Sequence, residues 1–189
     1  MDSKLQIISG TYRGRKLTLP TGARPTQNLA RVAIFNMLTG LLFDWQKITV
    51  WDAFAGSGAL GIEILSRCPG ATVIFTDVAD ESIKTVQKNI SGLNIDCIRY
   101  KIDKNDAIER IWKYGPRAGL VFVDPPYANP ELGIEFVAKL AERARRGTIV
   151  VQEIEANVPC LPDETKWEIL RDKKYGRARF VILRRNDKK

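Results

Sequence analysis

A mostly parallel α/β sheet with helices on both faces is the architecture this sequence predicts. From Lys47 onward, short β-rich apolar runs alternate with single helical segments, the pattern of right-handed βαβ units. The runs GLVFVD (119–124) and TIVVQE (148–153) are almost continuously apolar, as expected of strands buried on both sides. The stretch Gly56 to Gly61 reads GxGxxG and lies between a strand and a helix, where such a turn lets a ligand approach the backbone. Ligands of these sheets bind beyond the carboxyl ends of the strands, so the residues ending each strand are the ones to inspect.

The elements follow in order. Leu5–Ser9 and Arg15–Leu19 flank Gly10-Thr11-Tyr12-Arg13-Gly14 and read as a basic hairpin. Arg24-Pro25-Thr26 is a loop leading into a helix over Asn28–Leu42, with Ala30, Ile34, Leu38 and Leu41 on one face. Residues 1–27 thus form an extension, and 28–189 the main domain. Strands are predicted at Lys47–Asp52, Ala71–Asp77, Cys97–Lys101, Gly119–Asp124 and Thr148–Glu153. Helices are predicted at Gly58–Arg67, Asp80–Leu93 (with Asp80 as N-cap), Asp106–Lys113 and Glu131–Arg146. Trp167–Asp172 and Ala178–Arg184 close the domain as a strand pair around Tyr175-Gly176, and residues 184–189 read as a solvated tail.

Composition sets limits on chemistry. The chain has 189 residues, enough for one domain with a small extension, and 44% hydrophobic against 28% charged residues excludes widespread disorder. Thirty Lys and Arg against 22 Asp and Glu give a formal net charge of +8, which suits a polyanionic partner. Histidine is absent, which removes Ser-His-Asp and Cys-His nucleophile systems and His-containing zinc sites. Cys68, Cys97 and Cys160 show no CxxC spacing and read as reduced thiols, and no metal is expected. The first 17 residues lack the apolar stretch of a signal peptide, and Ile34–Phe43 is about half a membrane span. The expectation is a cytoplasmic protein with no membrane contact.

The strand ends carry the functional residues. The first ends Asp52-Ala53-Phe54-Ala55-Gly56-Ser57-Gly58, a loop that suits either a dinucleotide or S-adenosylmethionine. Asp77 ends the second strand, where a carboxylate can accept hydrogen bonds from ribose hydroxyls. Asp106 follows the third, placed to contact an adenine or merely to cap its helix, and Asp103 competes for the former role. The fourth ends Asp124-Pro125-Pro126-Tyr127. Two prolines cannot donate ladder hydrogen bonds and stiffen this loop. Asp124 and the Pro125 carbonyl then offer adjacent acceptors to an exocyclic amino group, and Tyr127 offers a stacking face. A dehydrogenase has no use for this acceptor pair, so the glycine loop is assigned to S-adenosylmethionine.

Asp-Pro-Pro-Tyr after DAFAGSGALG resembles the amino-methyltransferases. The N-terminal stretch Ile8-Ser9-Gly10-Thr11-Tyr12-Arg13-Gly14-Arg15-Lys16-Leu17, then Arg24-Pro25-Thr26, Arg31 and Phe35-Asn36-Met37-Leu38, resembles the RsmD family of bacterial 16S ribosomal RNA guanine-N2 methyltransferases. So does the last strand, Gly176-Arg177-Ala178-Arg179-Phe180 with Leu183 and Arg184. Asn28 and Leu29 depart from the family pattern, which carries an acidic and then a basic residue there.

The resemblance implies a class I, Rossmann-like methyltransferase sheet of seven strands with an N-terminal hairpin. It implies Asp52, Phe54, Ala55, Gly56, Gly58, Asp77 and Asp106 around S-adenosylmethionine, and a catalytic loop of Asp124, Pro125, Pro126 and Tyr127. The implied substrate is a guanine of small-subunit ribosomal RNA, presented within a ribosomal particle or assembly intermediate. Arg13, Arg15, Lys16, Arg24 and Arg31 are the residues expected to hold RNA phosphates. The rival readings are an adenine-N6 or cytosine-N4 amino-methyltransferase, a nicotinamide-dependent oxidoreductase, and a silent RNA-binding module.

Overall fold

The structure, a computed structural model, describes residues 5–21, 28–39, 41, 47–126, 128–159 and 162–186. The alternation read from Lys47 onward becomes β1 (Thr49–Asp52), α2 (Ala59–Arg67), β2 (Thr72–Asp77), α3 (Asp80–Ser91), β3 (Tyr100–Lys104), α4 (Ala107–Tyr114), β4 (Leu120–Val123), α5 (Pro130–Leu140) and β5 (Ile149–Glu155). Helix α1 (Asn28–Thr39) precedes β1, and β6 (Trp167–Tyr175) and β7 (Ala178–Arg185) close the chain. The strands form one sheet in the order β3-β2-β1-β4-β5-β7-β6. Neighbours from β3 to β5 pair in parallel, and β7 is antiparallel to both β5 and β6.

Side chains alternate across the sheet, so each strand feeds two cores. Val50, Phe75, Phe122, Val151 and Phe180 face α1, α2 and α3. Trp51, Ile74, Val121, Val150 and Val181 face α4 and α5. In the second core Trp51 meets Tyr114 and Phe136 edge-on at 5.5 and 5.2 Å, and Phe136 meets Phe54 at 5.4 Å. Edge-to-face pairs add about 0.5–1.5 kcal/mol each beyond their burial. Here they also fix the start of the glycine loop.

The extension is built onto this core. Gln6 pairs with Lys16 in a single antiparallel bridge, less than the two full strands expected, and Leu5, Ile7 and Leu17 are buried in the first core. The hairpin lies on α2, whose residues from Ala59 to Ser66 are all buried. A helix buried on every side needs cover on its outer face. Ser66 supplies the seam: its hydroxyl donates to Ser9 O (2.6 Å) and accepts from Tyr12 N–H (3.0 Å), and its carbonyl accepts from Thr11 N–H (2.8 Å). Gly10, at φ 85°, lies so close that an added Cβ would sit 2.0 Å from Ser66 O. Only glycine fits there.

Several boundaries differ from expectation. Cys97–Arg99 is a 3₁₀ turn rather than the start of a strand, because the Asp96 carboxylate caps it through Ile98 N–H, and β3 begins at Tyr100. The N-cap of α3 is Ala79, not Asp80; the Asp77 carboxylate receives the Ala79 N–H, while Asp80 pairs with Lys104. Helix α5 ends at Leu140, and the chain continues in turns toward Gly147, at φ 77°. Arg184 and Arg185 belong to β7 rather than to a solvated tail. Arg184 pairs with Glu168, and Arg185 donates to Ala141 O and Lys166 O. No helix among the described residues is long and apolar enough to cross a membrane.

Candidate active site

The glycine loop grows from the end of β1. The Ala53 N–H reaches across to Phe122 O (3.1 Å) and the Ala55 N–H to Thr76 O (3.0 Å), which pins the loop to β4 and β2. Gly56 (φ 52°) and Gly58 (φ 77°) then turn the chain in left-handed conformations into α2, whose N-cap is Gly58. A Cβ at Gly56 would meet nothing within 4 Å, so the backbone is open to a ligand there. At Gly61 a Cβ would lie 2.3 Å from the Phe75 ring, which explains the last glycine of the motif by packing.

Two carboxylates hold this turn. The Gly61 N–H donates to Asp52 Oδ2 (3.0 Å) and the Gly56 N–H to Asp77 Oδ2 (2.9 Å). Asp52 is 1% exposed, and burial raises its pKa to about 7; the Gly61 N–H opposes that shift and the nearby Asp77 charge adds to it. Asp77 also accepts the Ala79 N–H at 2.9 Å, which uses two of the roughly four acceptor positions of a carboxylate.

At the end of β3 the two competing aspartates separate. Asp103 lies in the strand and is taken by α4: it accepts from Arg110 Nε (3.0 Å), Tyr114 OH (2.5 Å) and Asn105 Nδ2 (2.7 Å). Burial alone would raise its pKa, but these donors outweigh burial and leave it lowered. Asp106 caps α4 through Ile108 N–H (2.7 Å) and is exposed. The Asn105 N–H donates to Asp77 O (3.1 Å), which joins the ends of β2 and β3.

The Asp-Pro-Pro loop leaves β4 directly. Asp124 is half-buried, Pro125 buried and Pro126 exposed. Gly133 in α5 lets Pro125 pack close, since an added Cβ would lie 3.0 Å from its ring. Asp52, Phe54, Ala55, Gly56, Asp124 and Arg31 line one cleft at this edge of the sheet. The larger cavity, about 370 Å³ between α5 and the start of β6, is lined by Val137, Trp167 and neighbours, and none of the predicted site residues borders it.

The expected RNA contacts divide. Arg13, Arg15 and Lys16 are exposed on the hairpin, and Arg15 donates to Gly92 O at the end of α3 (2.8 Å). Arg31 is not a surface cation. It is fully buried, donates to Gln6 O and faces Glu63 at 4.0 Å; burial lowers its pKa against the pull of Glu63. A guanidinium enclosed in this way positions the extension rather than meeting a phosphate. Arg24, Tyr127 and Cys160 lie outside the described residues.

Sequence reasoning missed three positioning residues. Glu63 accepts from Ile8 N–H (2.8 Å), Ser9 N–H (2.9 Å) and Arg67 Nε (2.7 Å). Ser66 forms the seam described above. Asn89 accepts from Thr18 N–H (2.8 Å) and donates to Thr18 O (3.0 Å) and Ser57 O (2.9 Å), tying the extension to the glycine loop. The one available signal was a charge inside the apolar run GIEIL.

Comparison with known proteins identifies the family. The family model described as Conserved hypothetical protein 95 matches residues 5–184. The chain is 34% identical over 188 residues to the ribosomal RNA small subunit methyltransferase D of Escherichia coli K12, covering 96% of this chain and 90% of that one. The solved structure of yhhF from Escherichia coli matches with a TM-score of 0.80 at 29% identity, over 97% and 98% of the two chains. A magnesium protoporphyrin IX methyltransferase from Synechocystis, solved with bound SAM, shares the fold alone (TM-score 0.62, 14% identity, 82% and 77% covered). With its seven-stranded class I sheet and these relatives, the chain belongs to the RsmD family of methyltransferases.

Proposed function

We propose that this protein methylates the exocyclic N2 amino group of a guanine in small-subunit ribosomal RNA, using S-adenosylmethionine, in the cytoplasm and on a ribosomal particle or assembly intermediate. The observation that carries the reading is the shared cleft, which brings Asp124 of the proline loop together with Asp52 and Gly56 of the glycine turn. The cofactor fits these residues: the backbone at Gly56 is open, Asp77 keeps acceptor capacity at the second strand end, and Asp52 offers a buried carboxylate to an amine. When bound, S-adenosylmethionine supplies a methyl group on a positively charged sulfur.

The chain's own residues do the rest. The lone pair of a guanine amino nitrogen is delocalised into the ring and is a poor nucleophile. Asp124 and the Pro125 carbonyl accept its two N–H groups and favour a nitrogen whose lone pair is directed outward. The stiff loop holds this geometry, so most of the rate enhancement comes from positioning. Asp124 or water takes the departing proton. The base must leave its stack to reach the cleft, and Tyr127 is assigned to stack on it. Asp106 is assigned to the adenine side of the cofactor, and Arg13, Arg15, Lys16 and Arg24 to phosphates.

The test is transfer of labelled methyl to unmethylated small subunits, with naked ribosomal RNA and DNA alongside, followed by nucleoside analysis. N2-methylguanosine from small-subunit RNA is the expected product. N6-methyladenine or N4-methylcytosine would keep the acceptor-pair chemistry and overturn the substrate.

A further inference from the structure

The β6–β7 hairpin reaches the same edge of the sheet as the proline loop. The register fixes its position: Val123 pairs with Gln152, Gln152 with Val181, and Val181 with Asp172. Asp172 is therefore level with the end of β4. Strand β6 runs parallel to β4, so Lys173 and Tyr175 extend to the level of Asp124 and beyond. Three strand spacings of roughly 4.8 Å separate them from that loop, about 14 Å across the sheet.

One face of β6 is basic and aromatic. Arg171 pairs with Ile182, Lys173 with Phe180 and Tyr175 with Ala178, and these partners border the core that carries α1 and the N-terminal hairpin. The Tyr175 ring packs on Phe180 at 5.9 Å and is still 42% exposed. Arg171 and Lys173 are exposed too, as is Arg177 at the tip. The other face is occupied: Arg179 holds Asp172 through two hydrogen bonds of 2.8 and 2.6 Å. The Ala156 N–H donates to Arg177 O (2.9 Å), which ties the tip to the chain leaving β5. The hairpin is thus held in place with one cationic face free of those pairings.

We infer that the Arg171–Lys173–Tyr175 row of β6, with Arg177 at its tip, is a second RNA-binding surface that holds nucleotides flanking the target base. This rests on the reading of RNA as the substrate. Alternate residues of a strand present cations and a flat ring at regular steps, which suits phosphates interleaved with a stacked base. The row shares the sheet face of the N-terminal extension, whose Leu5, Leu19 and Pro20 line the cleft. Cations on an edge strand also block strand addition, and that role makes a different prediction when they are removed.

The test is the KM for unmethylated small subunits, together with the salt dependence of binding to a small-subunit RNA fragment in the presence of cofactor. The variant is Arg171→Ala/Lys173→Ala/Tyr175→Ala. A matched variant, Lys139→Ala/Arg143→Ala, removes two exposed cations at the carboxyl end of α5 and in the turn that follows it. The row variant should raise KM about fivefold or more through lost stacking, and lower the log–log salt slope by about 1.4 for two released phosphates. Its kcat and its cofactor affinity should stay near wild type, and the α5 variant should behave as wild type throughout. An unchanged KM and slope, or aggregation as the only effect, would overturn the inference while wild-type transfer to small-subunit RNA still stands. Absence of wild-type transfer to any RNA would overturn both.

Discussion

Glu63 and Arg31 face each other at 4.0 Å inside the protein, both fully buried. Glu63 also receives two hairpin N–H groups and the Arg67 Nε, so one carboxylate joins α1, α2 and the N-terminal extension. Breaking a buried pair by removing one partner leaves an uncompensated charge and costs about 3–5 kcal/mol. Glu63→Ala and Arg31→Ala should each lose stability of that order in urea unfolding. Arg31→Ala should leave the salt slope of RNA binding unchanged. A slope lower by one phosphate would return Arg31 to the RNA interface.

Asp124 is the residue on which the proposed chemistry depends. Asp124→Ala should lower kcat by at least about 100-fold, the scale of losing one preorganised polar partner. Cofactor affinity, measured by calorimetry, should stay within a few-fold of wild type. Near-normal turnover would remove Asp124 from the mechanism.

Asp52 predicts a pH dependence of stability. Its folded pKa, about 7, lies above its ordinary carboxylate value. The stabilisation this represents is fully present below the unfolded pKa and is lost as pH rises through about 7. In the cofactor-free protein each pH unit between the ordinary carboxylate value and about 7 should remove about 1.4 kcal/mol, and the curve should level off above 7. Asp52→Asn can still accept the Gly61 N–H and should flatten this decline. Parallel stability curves for the two proteins between about pH 4 and 7 would contradict the assignment.

Substitution at Gly10 should separate substrate binding from cofactor binding. Gly10→Ala places a methyl group against Ser66 O and should lift the hairpin from α2. Methyl transfer to small subunits should fall through KM, while cofactor binding at the glycine loop persists. Equal loss of both would mean that the hairpin and the loop are one cooperative unit, as the Asn89 bonds to Thr18 and Ser57 permit.

The exposed hairpin cations should read out in salt dependence. Arg13→Ala and Lys16→Ala should each reduce the salt slope of RNA binding by about 0.7–0.9. Fluorescence anisotropy across a salt series measures it, and a slope equal to wild type would leave these side chains as a solvated face.

The order of elements, the sheet class and the cleft residues were legible because they rest on local signals. Apolar runs, a GxGxxG turn and an Asp-Pro-Pro corner each declare themselves within a few residues. The strand-end rule then places Asp52, Gly56, Asp77 and Asp124 at one edge without coordinates. Asp106 was legible as a cap for the same reason, since its carboxylate bonds an N–H two residues on.

What the sequence by itself determined, then, was the succession of strands and helices and the residues at the strand ends. Tertiary structure alone decided which charges face water. Arg31 and Arg13 are the same residue type in the same basic stretch, yet one is enclosed against Glu63 and the other is exposed. Asp103 and Asp106 differ likewise, because Arg110 and Tyr114 reach the first from one helical turn to the next. Hydrogen bonds between residues 50 to 80 positions apart, such as Glu63 with Ile8 and Asn89 with Thr18, leave no periodic trace in the chain. Burial of a charge depends on partners brought together by the fold, and a local pattern cannot specify them.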